Sequence, residues 1–555
     1  MPRETGAFFL PITRLMNKNF LWALFLLTLK AGAQPTIGLL LNSAAATDGY
    51  TLFAPMRSNT TYLVDNCGHS VNEWTSIYKP GASVYFLPDG KLMRSGSTNN
   101  VTFTAGGSGG AIEEFDWNGN LTWDFLYSDF THCQHHDIHP MPNGHVLAIA
   151  WEKKTEAEAI AAGRNPANVN MRMFTEEVIE VDPVNDSIVW RWNVWDHNIQ
   201  DYDSTKSNFG IIADHPELVD INFFTASPDV YHVNGIDYNP VLDQIILSAH
   251  NYDEVWIIDH TTTTIESASH AGGKYGHGGD LLYRWGNPLV YHAGTSADQK
   301  LFGQHNPQWI PDSLRYGGSL LVFNNGLGRP GLYSSVEIIE PPQDSAGYYQ
   351  YTAGLPFDPS APSWVFTCNP PSAFYSPLIS GVQPLENGHY LICEGDNGVF
   401  TEIDSSGDTL WKYINPVDTA PRIQGVAPFN NSVFRCRRFS PTYAGFNGQV
   451  LIPGNLIEQN PLPDTCTLFT EINNEEKNKE LNIFPNPVEE KLTVKGYSLF
   501  GTAVEISIYN MPGELMNAAV DCRLSTVDCR LFPPGIYFLK IHDEEKISVF
   551  KFIKQ

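Results

Sequence analysis

From Gly49 to Gln459 the apolar residues fall in short runs, each bounded by Gly, Asn, Asp or Pro. Runs of this length between turn formers read as strands. Helical periodicity is almost absent; the exception is Thr155 to Gly163, TEAEAIAAG, a short helix in an insertion. Two phrases recur. One is an acidic residue or Pro, then Asn or Asp, Gly, a polar residue and an apolar strand: LPDGKLM at Leu87, MPNGHVLAI at Met141, LENGHYLI at Leu385. The other is a polar turn leading into an aromatic strand, FDWNGNLTWDF at Phe115 and EIDSSGDTLWKY at Glu402, as in hairpins. Repetition of about six such units predicts an all-β, six-bladed propeller over residues 34–460, with an array of sandwiches as the alternative.

The pattern changes after Pro461. Residues 461–480 read as a linker, polar and charged from Asn473 to Glu480. Residues 481–555 carry strands of their own, KLTVKG at Lys491, VEISIYN at Val504, GIYFLKI at Gly535 and SVFKFIK at Ser548, which predict a small antiparallel β-sandwich. At the other end, Met16 to Ala33 has a basic start, an apolar centre and an A-x-A end. Residues 1–33 are therefore read as a signal peptide cleaved before Gln34, with Met16 as a second candidate start. No other stretch approaches the apolar length of a membrane span.

Composition narrows the partners. The formal net charge is -27 although only 17% of residues are charged; such a balance argues against nucleic acid and anionic lipid. An anionic substrate would need cationic groups gathered in its pocket. Eight cysteines suit disulfides in an exported protein, without a C-x-x-C zinc pattern and without spacing that fixes the pairing. Cys522 and Cys529 are near enough in sequence to bridge a hairpin.

Candidate chemistry sits where strands begin. In Phe302 to Arg329, His305 precedes Pro307; the apolar run Ser319 to Phe323 then leads into the turn Asn324-Asn325-Gly326. The recurring phrase serves as a ruler: His136 lies eight residues before Gly144, Ser380 eight before Gly388, and Pro311 follows His305 by six as Pro142 follows His136. The unit at Val230 places His232 and Asn234 near the same point, and residues two apart share a strand face. Radial repetition would bring histidines of three blades to one pocket. The run Cys133-Gln134-His135-His136-Asp137-Ile138-His139 supports zinc binding, acid–base or anion-binding work, or packing; His136 is the favoured inward residue, with Asp137 orienting a neighbouring imidazole. Converging imidazoles suit a tetrahedral anion, with one ring as nucleophile and another protonating the leaving oxygen. A nucleotide phosphate loop is missing, so a nucleotide donor is not indicated. No cofactor or metal is assigned.

The stretches HHDIHPMPNGHVLAIA, VYHVNGIDYNP, GDLLYRWGNP, FGQHNPQWIP with LVFNNG, YSSVEIIE and FYSPLISGVQPLENGHYLICEGDNGVF resemble the bacterial arylsulfate sulfotransferases, in the family's order. The resemblance implies a six-bladed propeller that moves a sulfuryl group from an aryl sulfate to a phenol. It implies a sulfohistidine at His305 and active-site roles for His232, Asn234 and His136, with His135, His250, Arg329 and Ser380 as further substrate-binding candidates. One departure stands out: where the family has arginine, sixteen residues beyond the H-x-N asparagine, this chain has His250. Arg329 or Arg94 would have to compensate. NIFPNPVEEKLTV and PPGIYFLKI resemble the type IX secretion sorting domain, which implies the secretion machinery as partner and a secreted or surface location. The alternatives are an aryl sulfatase with the same pocket and a non-catalytic propeller that binds a ligand.

Overall fold

A computed structural model describes residues 35–226, 228–462, 466, 482–495, 505–510, 515–516, 520–521, 526–542 and 547–555. The expected leader, the charged linker and Cys522 lie outside them. Among the described residues the regular secondary structure is nearly all strand. The helical insertion is Glu156–Ala161, with Thr155 as N-cap and Glu158 closing a capping box.

Antiparallel sheets follow one another along the chain. Lys79–Phe86 opens one that continues through Leu92–Ser97, Gly110–Phe115 and Leu121–Leu126. A parallel bridge between Ala82 and His136 joins it to His132–Pro140 and the three strands that follow, making one eight-stranded sheet; Val233–Asn239 opens another, His305–Trp309 another, and Gly381–Pro384 another, the last edged by Gly38–Asn42. A further sheet pairs Val433–Phe439 with Tyr50–Pro55, Thr60–Val64 and Ser70–Thr75, joining the end of this region to its beginning. The opening strands pack side by side in chain order, and Val433–Phe439 returns to Lys79–Phe86. The result is a propeller-like β fold with the opening strands around its axis.

Burial explains the sequence pattern. Second strands such as Gln244–Ala249 are covered on both faces and read as continuous apolar runs, whereas the edge strand Leu121–Leu126 alternates between exposed and half-buried positions. Between sheets lie fully buried tryptophans, among them Trp74, Trp192 and Trp411. Their indole N–H groups donate to the carbonyls of Asp116, Gly279 and Asn66, so each is buried without an orphaned donor. A disulfide joins Cys67 to Cys466, far apart in sequence. Cys529 is a buried free thiol; its expected partner Cys522 lies outside the described residues.

In the C-terminal region Asn482–Phe484, Lys491–Lys495, Thr526–Asp528 and Val520–Asp521 form one sheet, and Leu515–Met516, Glu505–Asn510, Gly535–His542 and Ile547–Lys554 another. Leu492 and Val527 of the first share an apolar cluster with Ile508, Leu539 and Phe552 of the second.

Candidate active site

The opening strands are bulged near their starts. Ladder pairing slips between Ala148 and Ala150 opposite His132–Pro140, between Val233 and Ile236, and between His305 and Gln308. Bulges re-aim side chains. Around them His136, His232 and Asn306 take left-handed backbone (φ of 49°, 51° and 51°), a conformation that costs energy outside glycine and is held by its surroundings.

These distortions gather imidazoles of separate strands. Ring centroids of His136 and His232 are 4.7 Å apart, those of His232 and His250 5.0 Å, and those of His250 and His305 5.6 Å. Phe434 of the closing strand completes the group, 6.3 Å from His136 and 6.4 Å from His305. The equivalence expected from the ruler is off by a residue: His136 stands two before the first paired residue beyond its bulge, Ile138, whereas His305 stands three before Gln308. The rings meet because the bulges differ, not because the positions match.

Each of the four rings is anchored through Nδ1. His305 Nδ1 lies 2.8 Å from Asn325 Oδ1. Asn325 Nδ2 donates to the carbonyls of Ser376 and Ile379, 2.7 Å each, so its oxygen faces His305 and accepts the Nδ1 proton. His305 Nε2 therefore carries a lone pair. His232 Nδ1 lies 2.5 Å from Asp229 Oδ2, His250 Nδ1 3.0 Å from Asn251 Oδ1, and His136 Nδ1 2.8 Å from His135 Nδ1. No Nε2 of the four has a hydrogen-bond partner among the described residues.

The rings differ in charge. Burial, then the neighbouring imidazoles, hold His136 and His305 well below the usual imidazole pKa. Burial, then the charge on His232, brings His250 down to about 4. Burial also opposes the imidazolium of His232, but the charge and hydrogen bond of Asp229 outweigh it and raise its pKa. The group thus holds one favoured cation among neutral rings.

His135 stands behind this layer. It stacks on Trp151, 3.8 Å between centroids, and both its nitrogens are occupied, by His136 and by Glu176 Oε2 at 2.7 Å. Burial, then Asp229, raises the Glu176 pKa well above the carboxylate range. Asp137 does not orient an imidazole: it accepts from Arg435, from the Tyr85 hydroxyl and from Ile236 N–H. Asp229 and Glu176 take that role instead. The ligand atoms of Cys133–His139 do not gather: His135 is held by Glu176, and His139, four residues further along the strand, faces Asp237, 3.2 Å away.

Asn234 does not present its amide nitrogen to a ligand; Nδ2 donates to the Gln304 carbonyl, 2.9 Å, fixing the backbone just before His305. Gln304 in turn donates to the carbonyls of Ala249 and Glu254. Arg329 is committed to Glu337 Oε1 at 3.0 Å and Ser335 Oγ at 2.8 Å, and Arg94 to the carbonyls of Asn59 and Tyr78. Ser380 Oγ donates within its own loop and accepts from Gly395 N–H. None of these contacts reaches an imidazole. The sequence pattern passed over Gly106 and Gly107, whose loop lies on the histidines: a Cβ at Gly107 would stand 2.2 Å from His136 Nε2. The GGSGG run was the available signal.

The family model for arylsulfotransferase (ASST) matches residues 57–427, and that for the secretion system C-terminal sorting domain matches residues 482–555. The sorting domain indicates type IX export to the cell surface or extracellular space, and among the described residues no helix is long and apolar enough to cross a membrane. No curated protein matches the chain. Similar solved structures include a protein of unknown function from Bacteroides caccae (11% identity, 71% of this chain and 99% of that chain, TM-score 0.39). A putative 6-phosphogluconolactonase from Bacteroides fragilis is another (11% identity, 72% and 99%, TM-score 0.35). At these scores nothing about function transfers. The match of the first model across most of the chain makes this protein a member of the arylsulfotransferase family.

Proposed function

We propose that the protein moves a sulfuryl group from an aryl sulfate ester to a phenol in two displacements, through a sulfohistidine at His305. The observation that carries this reading is the common anchoring of four rings through Nδ1, which leaves four Nε2 atoms free on one group. His305 Nε2 holds a lone pair and attacks sulfur. The N–S bond forms, the bond from sulfur to the aryl oxygen breaks, and its electron pair leaves on the phenoxide. His232, the ring held cationic by Asp229, gives its Nε2 proton to that oxygen. In the second half the incoming phenol returns a proton to His232 Nε2 while its oxygen attacks sulfur and frees His305.

His136 completes the assignment. Glu176 is protonated when its pKa is high, so it donates to His135 Nε2; His135 Nδ1–H then donates to His136 Nδ1, leaving His136 with Nε2–H to bind a sulfuryl oxygen. His250 donates its Nδ1 proton to Asn251, whose Nδ2 is spent on backbone carbonyls, so its Nε2 is an acceptor. It cannot replace the charge of the family's arginine, and Arg329 and Arg94 are committed elsewhere. Asn234 acts as a positioning residue for His305.

The same reading takes the sheets of residues 34–460 as six blades around the histidines, residues 461–480 as a linker, and the two sheets of 481–555 as a sorting sandwich. Incubation with an aryl sulfate should add about 80 Da, the mass of SO3, at His305 as a covalent intermediate, and an added phenol should become sulfated. A protein that turns over the ester with no adduct on His305, or passes the group only to water, refutes the transfer mechanism.

A further inference from the structure

The opening strands carry a second constellation at their other ends. The histidines lie near the strand starts; near the finishes, Tyr85, His139, Asp237, Trp309, Gln383 and Arg437, one from each opening strand, line a cavity of about 360 Å3. That volume falls in the range of small-molecule sites, roughly 300–1,000 Å3. His136 and Pro140 of one strand are four residues apart, so the two ends are separated by about 13 Å at roughly 3.3 Å per residue. Asp137 stands between them, tied to Arg435 and to the Tyr85 hydroxyl. The cavity is thus closed off from the imidazoles by an ion pair.

Two groups in it are unspent. Arg437 is half-buried and makes no ion pair among the described residues; its guanidinium rests over the Tyr85 ring, 4.7 Å from the centroid. The nearby carboxylate of Asp237 is engaged instead by Trp309 backbone N–H at 2.9 Å and faces His139 at 3.2 Å. Trp309 is 9% exposed, yet its Nε1 is buried with no hydrogen-bond partner. Buried donors of this kind are rare because each costs desolvation without return. In a chain with 61 acidic and 34 basic residues, an arginine without a carboxylate needs an account. Most of the remaining wall is aromatic or proline, including Phe86, Phe439, Tyr443 and Pro88.

We propose that this cavity is a second, non-catalytic binding site for a small planar aromatic anion. Arg437 receives the anionic group, and the aromatic walls, Trp309 among them, receive the ring. The site is separate from the imidazoles and holds no nucleophile positioned for transfer.

1-Naphthalenesulfonate is the probe, because its carbon–sulfur bond cannot donate a sulfuryl group. Calorimetric titration of the intact protein should show saturable binding that falls at least tenfold in Arg437→Gln and is partly retained in Arg437→Lys. Turnover of an aryl sulfate should persist in Arg437→Gln, which also reports that the variant is folded. Titration with 1-naphthoate separates a carboxylate ligand from a sulfonated one; tight binding of either that Arg437→Gln weakens supports the site. Unchanged affinity in the folded Arg437→Gln variant, or equal affinity for neutral 1-naphthol, overturns the proposal.

Discussion

Asp229→Asn isolates the charge on His232 from the shape of the site. The amide is isosteric with the carboxylate, and its oxygen can still accept from Trp151 Nε1, 3.2 Å away. Its NH2 then faces His232 Nδ1, where the carboxylate Oδ2 now sits at 2.5 Å. The ring keeps a proton on Nε2 but loses the cation, because burial is no longer outweighed by Asp229. A neutral imidazole is a poor acid. General acid catalysis contributes about 10²–10⁴-fold, or about 3–5 kcal/mol at 1.36 kcal/mol per decade. The loss should depend on the leaving group. An ester of a phenol with pKa about 10, the tyrosine value, needs the proton; a nitrophenyl ester, whose phenoxide is far more stable, does not. We therefore expect kcat/KM to fall by the full factor for phenyl sulfate and by a small one for nitrophenyl sulfate. The pH profile supplies the sign: a group with raised pKa is active while protonated, so wild-type rate falls as pH rises through the His232 pKa. His305, held low by burial and then by His250, is already neutral there. In the variant this alkaline limb moves to lower pH. Equal losses with both esters, or an unmoved limb, would show that Asp229 acts only on structure.

Three further outcomes follow from particular contacts. His250→Arg restores a fixed cation, and one charged hydrogen bond to sulfate is worth about 1.5–3 kcal/mol, so KM for the donor should fall about tenfold or more in steady-state assays at low salt; an unchanged or higher KM refutes this role. Burial pulls the His260 pKa down, but hydrogen bonds and charges of Asp243 and Glu180 outweigh it and hold it at about 9, above the ordinary 6.5; that stability is complete below about pH 6.5 and is lost as pH rises through about 9. Denaturant titration of His260→Gln should show a loss of up to about 3 kcal/mol at pH 6 that vanishes above pH 10. Cys466→Ser opens the link to Cys67, and its denaturation midpoint should drop by the equivalent of about 2–4 kcal/mol.

Much of the fold was legible because its signals are local. MPNGHVLAI is a turn and a buried strand on its own terms, and Val146–Thr155 sits where it says. Capping residues likewise announce the helix at Glu156–Ala161. Ring closure was not local: Tyr50–Pro55 pairs with Val433–Phe439, and no periodicity links segments so distant. The pairing of Cys67 with Cys466 escaped for the same reason.

The candidate site divides along similar lines. His136, His232, His250 and His305 could be picked out because the family motifs mark their positions. Their partners could not. Asp229, Glu176 and Asn325 lie in ordinary strand and turn sequence, and only the fold brings them to Nδ1 of His232, Nε2 of His135 and Nδ1 of His305. Asp137 shows the converse error: adjacency to His136 suggested an orienting carboxylate, but neighbours on a strand point to opposite faces, and Arg435 takes it. A carboxylate behind His232 and an amide behind His305 make different reagents of two similar rings. In the proposed transfer one serves as the acid and the other as the nucleophile. The chemistry therefore resides less in the number of imidazoles than in what stands behind each, which is the part of the site that a linear reading of histidine spacing cannot supply.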